Sequence, residues 1–364
     1  MKHNHKAFLS AVLILCLTSA SVFPQVLGDG TTKNKLVPVF IMNDVSIASA
    51  GGFHSLILQN DGSLWSVGGN EIGQCGLAGS SAYLRPAIIG KGYVSIAAGL
   101  FHSLAIRSNG ELVSFGGNGS GQLGLSAKEA NKGLNEVMNN VKAVAAGADI
   151  SYAITADDTL WSFGVLNGGL YDSGSPKSIM TNVKSISVKE NHALILRKDG
   201  TLWSYGSNNY GELGDGTHDG RSMPVKVLSG IIDISAGARC SFAVREDGSL
   251  WGCGINRSGE LGVGDNKNYD KWIRISDNVR RVSAGAGFTM IIKDDGTLWS
   301  SGMYSSYTYG QLGDGKNKQR NTFEKVMDNV ESVSAGVYHT LIVKKDGSLW
   351  ACGFNGTFKE RPGQ

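Results

Sequence analysis

NDGSLWSVGGN, Asn60 to Asn70, is short enough to pass for a turn running into a single strand. The same wording returns as SNGELVSFGGN (108–118), DDTLWSFG (157–164), KDGTLWSYGSN (198–208), EDGSLWGCGIN (246–256), DDGTLWSSG (294–302) and KDGSLWACGFN (345–355). Aligned on the aromatic position, the copies fall at Trp65, Val113, Trp161, Trp203, Trp251, Trp299 and Trp350, at intervals of 48, 48, 42, 48, 48 and 51 residues. Self-similarity near such a period marks solenoids and propellers.

Inside one copy the pattern is that of strands. In the sixth, RRVSAGA is short and apolar, FTMIIK alternates, DDG breaks, TLWSSG resumes, and a glycine-rich loop leads to FEKVMDNV. Asp-Gly between two such runs predicts a hairpin with a type I′ turn, whose central residues need positive φ. Asp158-Thr159 departs from that pattern and predicts a strained or different turn. Four short antiparallel strands per copy, seven times over, predict an all-β, seven-bladed β-propeller. The first strand of a copy ends in Ala and Gly in six units, which suits the crowded axis; Lys189 replaces the glycine in the fourth. KLVPVFIMNDV, ahead of the first copy, is worded like the outer strands SMPVKVLSGI and NTFEKVMDNV, so residues 36–42 are expected to complete the last blade. The repeated Trp is read as filler between adjacent blades.

The N-terminus, MKHNHKAFLSAVLILCLTSASVF, has a basic start, an apolar run and small residues at Thr18 to Ala20, the layout of a secretory signal peptide. A short membrane anchor is the alternative, although the run falls below the ~20 residues of a span. The expected organisation is a signal peptide over 1–20, a linker over 21–34, the propeller over 35–358 and a tail over 359–364. Without residues 1–20 the chain holds one more basic than acidic residue, which gives no footprint for nucleic acid or a membrane surface. Cys75, Cys240, Cys253 and Cys352 lack metal-ligand spacing and are read as buried free thiols.

The whole unit, AGxxHSLxLxxDGxLWSxGxNxxGQLG, resembles the repeat of the regulator of chromosome condensation family. The matching loops are GGNEIGQCG (68–76), GGNGSGQLG (116–124), GSNNYGELG (206–214), GINRSGELG (254–262) and YGQLG (309–313). The resemblance implies a seven-bladed propeller. The family's founding nuclear members exchange nucleotide on a small GTPase and bind chromatin. Secreted bacterial propellers of this repeat look closer in kind; one group is similar to protein inhibitors of β-lactamases that present aromatic side chains from one face.

Catalytic motifs are absent: there is no GxSxG, HExxH or P-loop, and the GxGxxG at Gly119–Gly124 precedes no helix. His54, His102, His192 and His339 recur at one strand position, but Ile150, Cys240 and Phe288 take that position in the other copies, so packing rather than metal binding is expected. No cofactor and no metal is expected. The loops between strands one and two and between strands three and four share one face of the disc. Near the axis that face carries Phe53, Phe101, Asp149, Arg239 and Tyr338, and farther out Tyr210, Trp272, Tyr304, Tyr307 and Tyr309. Tyr, Trp and Arg are enriched where proteins bind one another. The reading is therefore a secreted, monomeric, non-enzymatic scaffold for an unknown protein or glycan partner. An exchange factor and a propeller glycosidase are the alternatives.

Overall fold

The computed structural model describes residues 25–125, 133–166, 174–303, 309–316 and 318–356. Among them twenty-eight strands form seven four-stranded antiparallel sheets, the blades of a β-propeller. Blades 1 to 6 take residues 45–90, 93–138, 141–180, 183–228, 231–276 and 279–327 in order. Blade 7 joins residues 330–353 to the N-terminal strand Lys35–Met42, which pairs antiparallel with Leu349–Gly353 through Val39 opposite Ala351 and Phe40 opposite Trp350. The outer strand of the last blade thus comes from the start of the chain, as its wording predicts. No helix among the described residues is long and apolar enough to cross a membrane.

Successive side chains of a strand point to opposite faces, and here both faces are apolar because both meet a blade. Leu56, Leu58 and Leu64 of blade 1 pack on Tyr93, Ile96 and Ala105 of blade 2. Ile57 and Val67 turn the other way, onto Leu341, Val343 and Leu349 of blade 7. The core is a ring of seven such interfaces. The repeated Trp belongs to them only in part. Trp251 stays partly exposed under the Arg245 guanidinium, 4.4 Å from the ring centroid, and donates its indole N–H to Ser249 Oγ at 3.0 Å. The preceding leucine, Leu250, is fully buried. The leucine is the deeper anchor, and the Trp seals the edge of the interface.

The Asp-Gly hairpins are not type I′. Only the glycine has positive φ, for example Gly62 at 78°, and its N–H bonds Gln59 O at 3.0 Å while Asp61 Oδ1 accepts the Ser63 N–H at 2.9 Å. This is a type I turn followed by a left-handed residue, the usual three-residue hairpin loop. In blade 3 Asp158 occupies the glycine's seat at φ 68° within the same turn, and Lys142 and Lys198 both pair with its carboxylate. Each turn also ties its blade to the next: Gly62 O accepts the Tyr93 N–H, and equivalent bonds run through Gly110, Asp158, Gly200, Gly248, Gly296 and Gly347 around the ring.

On the opposite face the loop after the third strand folds back as a plug between its own blade and the next. Asn70, Asn118, Asn208 and Asn256 each accept, through Oδ1, the N–H of a wholly buried residue at 2.9 Å: Cys75, Leu123, Leu213 and Leu261. Blade 7 takes its plug from another part of the chain. Residues 25–34, expected to be a linker, supply it. Leu27 N–H bonds Asn355 Oδ1 at 3.2 Å, Asn355 Nδ2 donates to Asp29 Oδ1 and Thr31 O, and Val26 and Leu27 are 1% exposed. LGDGT at 27–31 repeats LGDGT at 213–217, the signal that betrays this role in sequence.

The four histidines lock this junction. Nε2 of His54, His102, His192 and His339 lies 2.7–2.9 Å from Oγ of Ser103, Ser151, Ser241 and Ser55 in the next blade. Each serine donates onward to a plug carbonyl, Gln74, Gln122, Glu212 or Val26. With the serine proton committed, Nε2 must carry the imidazole proton and Nδ1 is a buried acceptor without a partner. Burial holds His54, His102 and His339 down to about 3 and His192 to about 4.

The axis is as tight as the alanines and glycines of the innermost strands suggest. A Cβ on Gly99 would stand 2.5 Å from His102 Cε1 and 2.7 Å from Gly147 O. Lys189, which breaks the glycine pattern, reaches from blade 4 to blade 7 and donates from Nζ to Ala335 O at 2.6 Å, bracing the axis from side to side. Desolvation lowers its ammonium to about 8, against the opposing pull of Glu190.

Candidate functional site

The two sets of loops do share one face. The residue opening the loop after the third strand donates to the carbonyl of the residue between the first two strands: Gly69 to Phe53, Gly117 to Phe101, Ile255 to Arg239 and Phe354 to Tyr338, at 2.8–2.9 Å. Phe53, Phe101, Asp149, Arg239 and Tyr338 are therefore held by backbone bonds near the inner strand ends.

Two arcs result. Across blades 6, 7, 1 and 2, Phe53 stacks on Phe101 with centroids 4.9 Å apart, and Tyr338 meets Tyr309 edge-on at 6.0 Å. Phe354 packs on both tyrosines, 4.4 Å from Tyr309 and 6.1 Å from Tyr338. Across blades 4 and 5, the Arg239 guanidinium lies 5.2 Å from the Tyr210 ring and Arg257 5.7 Å from it. Arg239 Nη1 also donates to the Tyr210 hydroxyl at 3.3 Å, and Nε stands 3.8 Å from Glu190. A cavity of about 60 Å³ lies between the arcs, where Gly287 offers no side chain; Glu190, Arg239, Glu260 and Tyr338 line it. Burial raises the carboxyls of Glu190 and Glu260, and Asp149 in blade 3 is raised by the same cause.

Phe354, Arg257, Glu190 and Glu260 are absent from the sequence-derived set. Their signal is variation: Phe354 stands where other copies have Gly69, Gly117, Ser207 and Ile255, and Glu260 where others have Gln74, Gln122 and Gln311. Trp272 does not join the face. It sits in the outer strand Tyr269–Ser276, 9% exposed, packed with Leu194, Ala243 and Cys253 in the core between blades 4 and 5. Tyr304 and Tyr307 lie outside the described residues. Asp215, in the loop LGDGTHDG (213–220), pairs with Arg221 at 2.6 Å. The four cysteines are free and buried, and burial pushes the Cys75 and Cys352 thiols up to about 12. These thiols are packing groups at neutral pH. Chemically the face offers aromatic surface, two guanidinium cations over one phenol, and neighbouring carboxyls, which suits adhesion to another molecule.

Two family profiles, both described as Regulator of chromosome condensation (RCC1) repeat, match the chain, one at residues 199–244 and 247–292, the other at 93–122, 183–212, 231–260 and 330–357. No curated protein sequence matches it. Among solved structures, human WBSCR16 is similar with a TM-score of 0.78 at 18% identity, over 93% of this chain and 98% of that one. Prp20p from Saccharomyces cerevisiae gives 0.71 at 20% identity, over 87% and 83%. The CRINKLY ectodomain of the Arabidopsis thaliana receptor kinase ACR4 gives 0.53 at 12%, over 87% and 98%. At such identities the likeness is one of fold. The chain is a seven-bladed β-propeller with RCC1 repeat matches touching blades 2, 4, 5, 6 and 7.

Proposed function

We propose that this propeller is a secreted, non-catalytic scaffold that holds a protein partner on the loop face around its axis. The observation that carries the reading is the paired arcs: stacked Phe53 and Phe101 with the Tyr309, Tyr338 and Phe354 cluster on one side, Arg239 over Tyr210 on the other. Aromatic and arginine side chains on a preordered backbone bind with little loss of conformational freedom. Export is supported by the composition of residues 1–20. A protein partner also accords with Prp20p, a propeller of the same fold described with binding properties to Gsp1p and histones.

The test is affinity capture from the native extracellular medium with the wild-type propeller, Phe101→Ser, Arg239→Glu, and Lys345→Glu on the hairpin face. The expected result is a protein retained by wild type and Lys345→Glu and lost by both axis-face variants at unchanged melting temperature. Retention by both axis-face variants would refute the assignment.

A further inference from the structure

The innermost strands meet around the axis through serine side chains. Oγ of Ser49, Ser187, Ser235, Ser283 and Ser334 accepts, at 2.9–3.0 Å, the N–H of Ala98, Ala236, Ala284, Ala335 and Ala50 on the next blade. Blades 4, 5, 6, 7 and 1 therefore carry a continuous arc of hydroxyls, which ends at Ala97 and Ala145 of blades 2 and 3. An accepting hydroxyl still has its proton to give. Among the described residues none of the five gives it to a protein group. Ser49, Ser187, Ser283 and Ser334 stay partly accessible although they lie on the innermost strands, so the axis is open to solvent beside them.

Lys189 crosses this axis to the same arc. In an extended strand the N–H and C=O of one residue leave from the same edge. The Lys189 ammonium on Ala335 O and Ser283 Oγ on Ala335 N are thus neighbours, with Ser334 the preceding residue of that strand. Ala335 O takes one of the three ammonium N–H groups. Among the described residues the ammonium forms no ion pair, and Glu190 acts on it only from a distance. Burial lowers it to about 8, so at pH 7 it is still charged. The equivalent residues Gly51, Gly99, Gly147, Gly237, Gly285 and Gly336 show that no blade needs a lysine here.

We propose that the axis binds a small inorganic anion, of which chloride is the simplest, between the Lys189 ammonium and the hydroxyls of Ser283 and Ser334. Hydroxyls serve either sign of charge, and the ammonium decides it: a desolvated cation repels a second one and is stabilised by an anion. Size is set by the layer at the same height, where Ala50, Ala98, Ala236, Ala284 and Ala335 are all buried and leave a narrow passage. Cations also stand at the hairpin-face end of the axis. Lys142 and Arg280 are paired there with Asp158 and Glu331, whereas Lys184 and Arg281 are exposed and form no ion pair among the described residues. The carboxyl they act on, Asp233, is held to the Val282 N–H. Such a mouth draws anions toward the axis.

The test follows the chlorine NMR line width of sodium chloride on addition of the intact propeller. Wild type is expected to broaden the line, saturably with chloride, and sodium bromide to reverse the broadening by competition. Lys189→Gly, which installs the residue of the other six copies, should weaken chloride by ~10-fold or more, the loss of a charged donor. Lys345→Gln, on an exposed lysine of the hairpin face, should leave binding unchanged. If Lys189→Gly fails to fold, Lys189→Met reads the same loss. Crystals soaked in sodium bromide should show an anomalous peak beside Lys189 Nζ. A line that stays narrow, broadening that does not saturate, equal broadening by wild type and the Lys189 variant, or no bromide at the axis overturns the proposal.

Discussion

Acid should unfold this protein through its four junction histidines. Each imidazole is wholly buried, donates from Nε2 to a serine, and has Nδ1 unpartnered, so protonation would place a second N–H in a site with nothing to accept it. The folded-state values, about 3 for three of them and about 4 for His192, lie below the ordinary imidazole value of about 6.5. The unfolded chain therefore binds protons that the folded chain refuses. The stabilisation is complete above pH 6.5 and is lost progressively as pH falls from there toward 4 for His192 and toward 3 for the other three. Between pH 7.5 and 5.5 each histidine costs ~1.4 kcal/mol, and four cost about 5.5 kcal/mol, against a typical total of ~5–15. Glu190, Glu260, Asp149 and Asp233, raised by burial, take up protons in the folded state and oppose the loss, so the contrast with a variant is the clean measurement. His102→Ile borrows the residue that blade 3 uses, Ile150, and should remove one proton from the slope of unfolding free energy against pH. Urea unfolding at half-unit steps from pH 7.5 to 5 reads that slope, and ring carbon NMR reads the four imidazoles directly. Equal slopes for the two proteins, or imidazoles that titrate near 6.5 in the folded state, would refute the reasoning.

Three further outcomes follow from the packing. Removal of residues 25–34 should lower stability by ~3–5 kcal/mol through the exposure of Val26 and Leu27, and removal of 25–43 should lower it further; an unchanged melting curve for the shorter deletion would contradict the plug assignment. Leu250→Ala should cost ~2–5 kcal/mol in urea unfolding and Trp251→Ala less, since only the leucine is fully buried; the reverse order would restore the Trp as the main filler. Gly99→Ala should cost ~1–3 kcal/mol by crowding His102 and Gly147 O, while Gly119→Ala, whose Cβ meets nothing within 4 Å, should be near neutral.

What the sequence made legible was what recurs. Period, strand order, blade count and the N-terminal closing strand all follow from wording repeated across copies. The turn type was not legible because Asp-Gly serves both the I′ turn and the type I turn with a left-handed glycine, and only the asparagine or aspartate cap at Asp61 and its equivalents separates them. Trp272 was misplaced because an aromatic close to a polar loop reads as surface, whereas strand alternation turns it inward onto Cys253. Phe354 and Arg257 were missed because their contacts, to Tyr338 and Tyr210, depend on which loops curve together above the strands.

Seven copies in one chain also provide an internal control for telling structure from function. Glu212 and Glu260 replace glutamines, yet Glu260 Oε2 accepts the Ser258 N–H as Gln122 Oε1 accepts that of Ser120, so the structural bond survives the exchange. What changes is the charge delivered to the face beside Arg239.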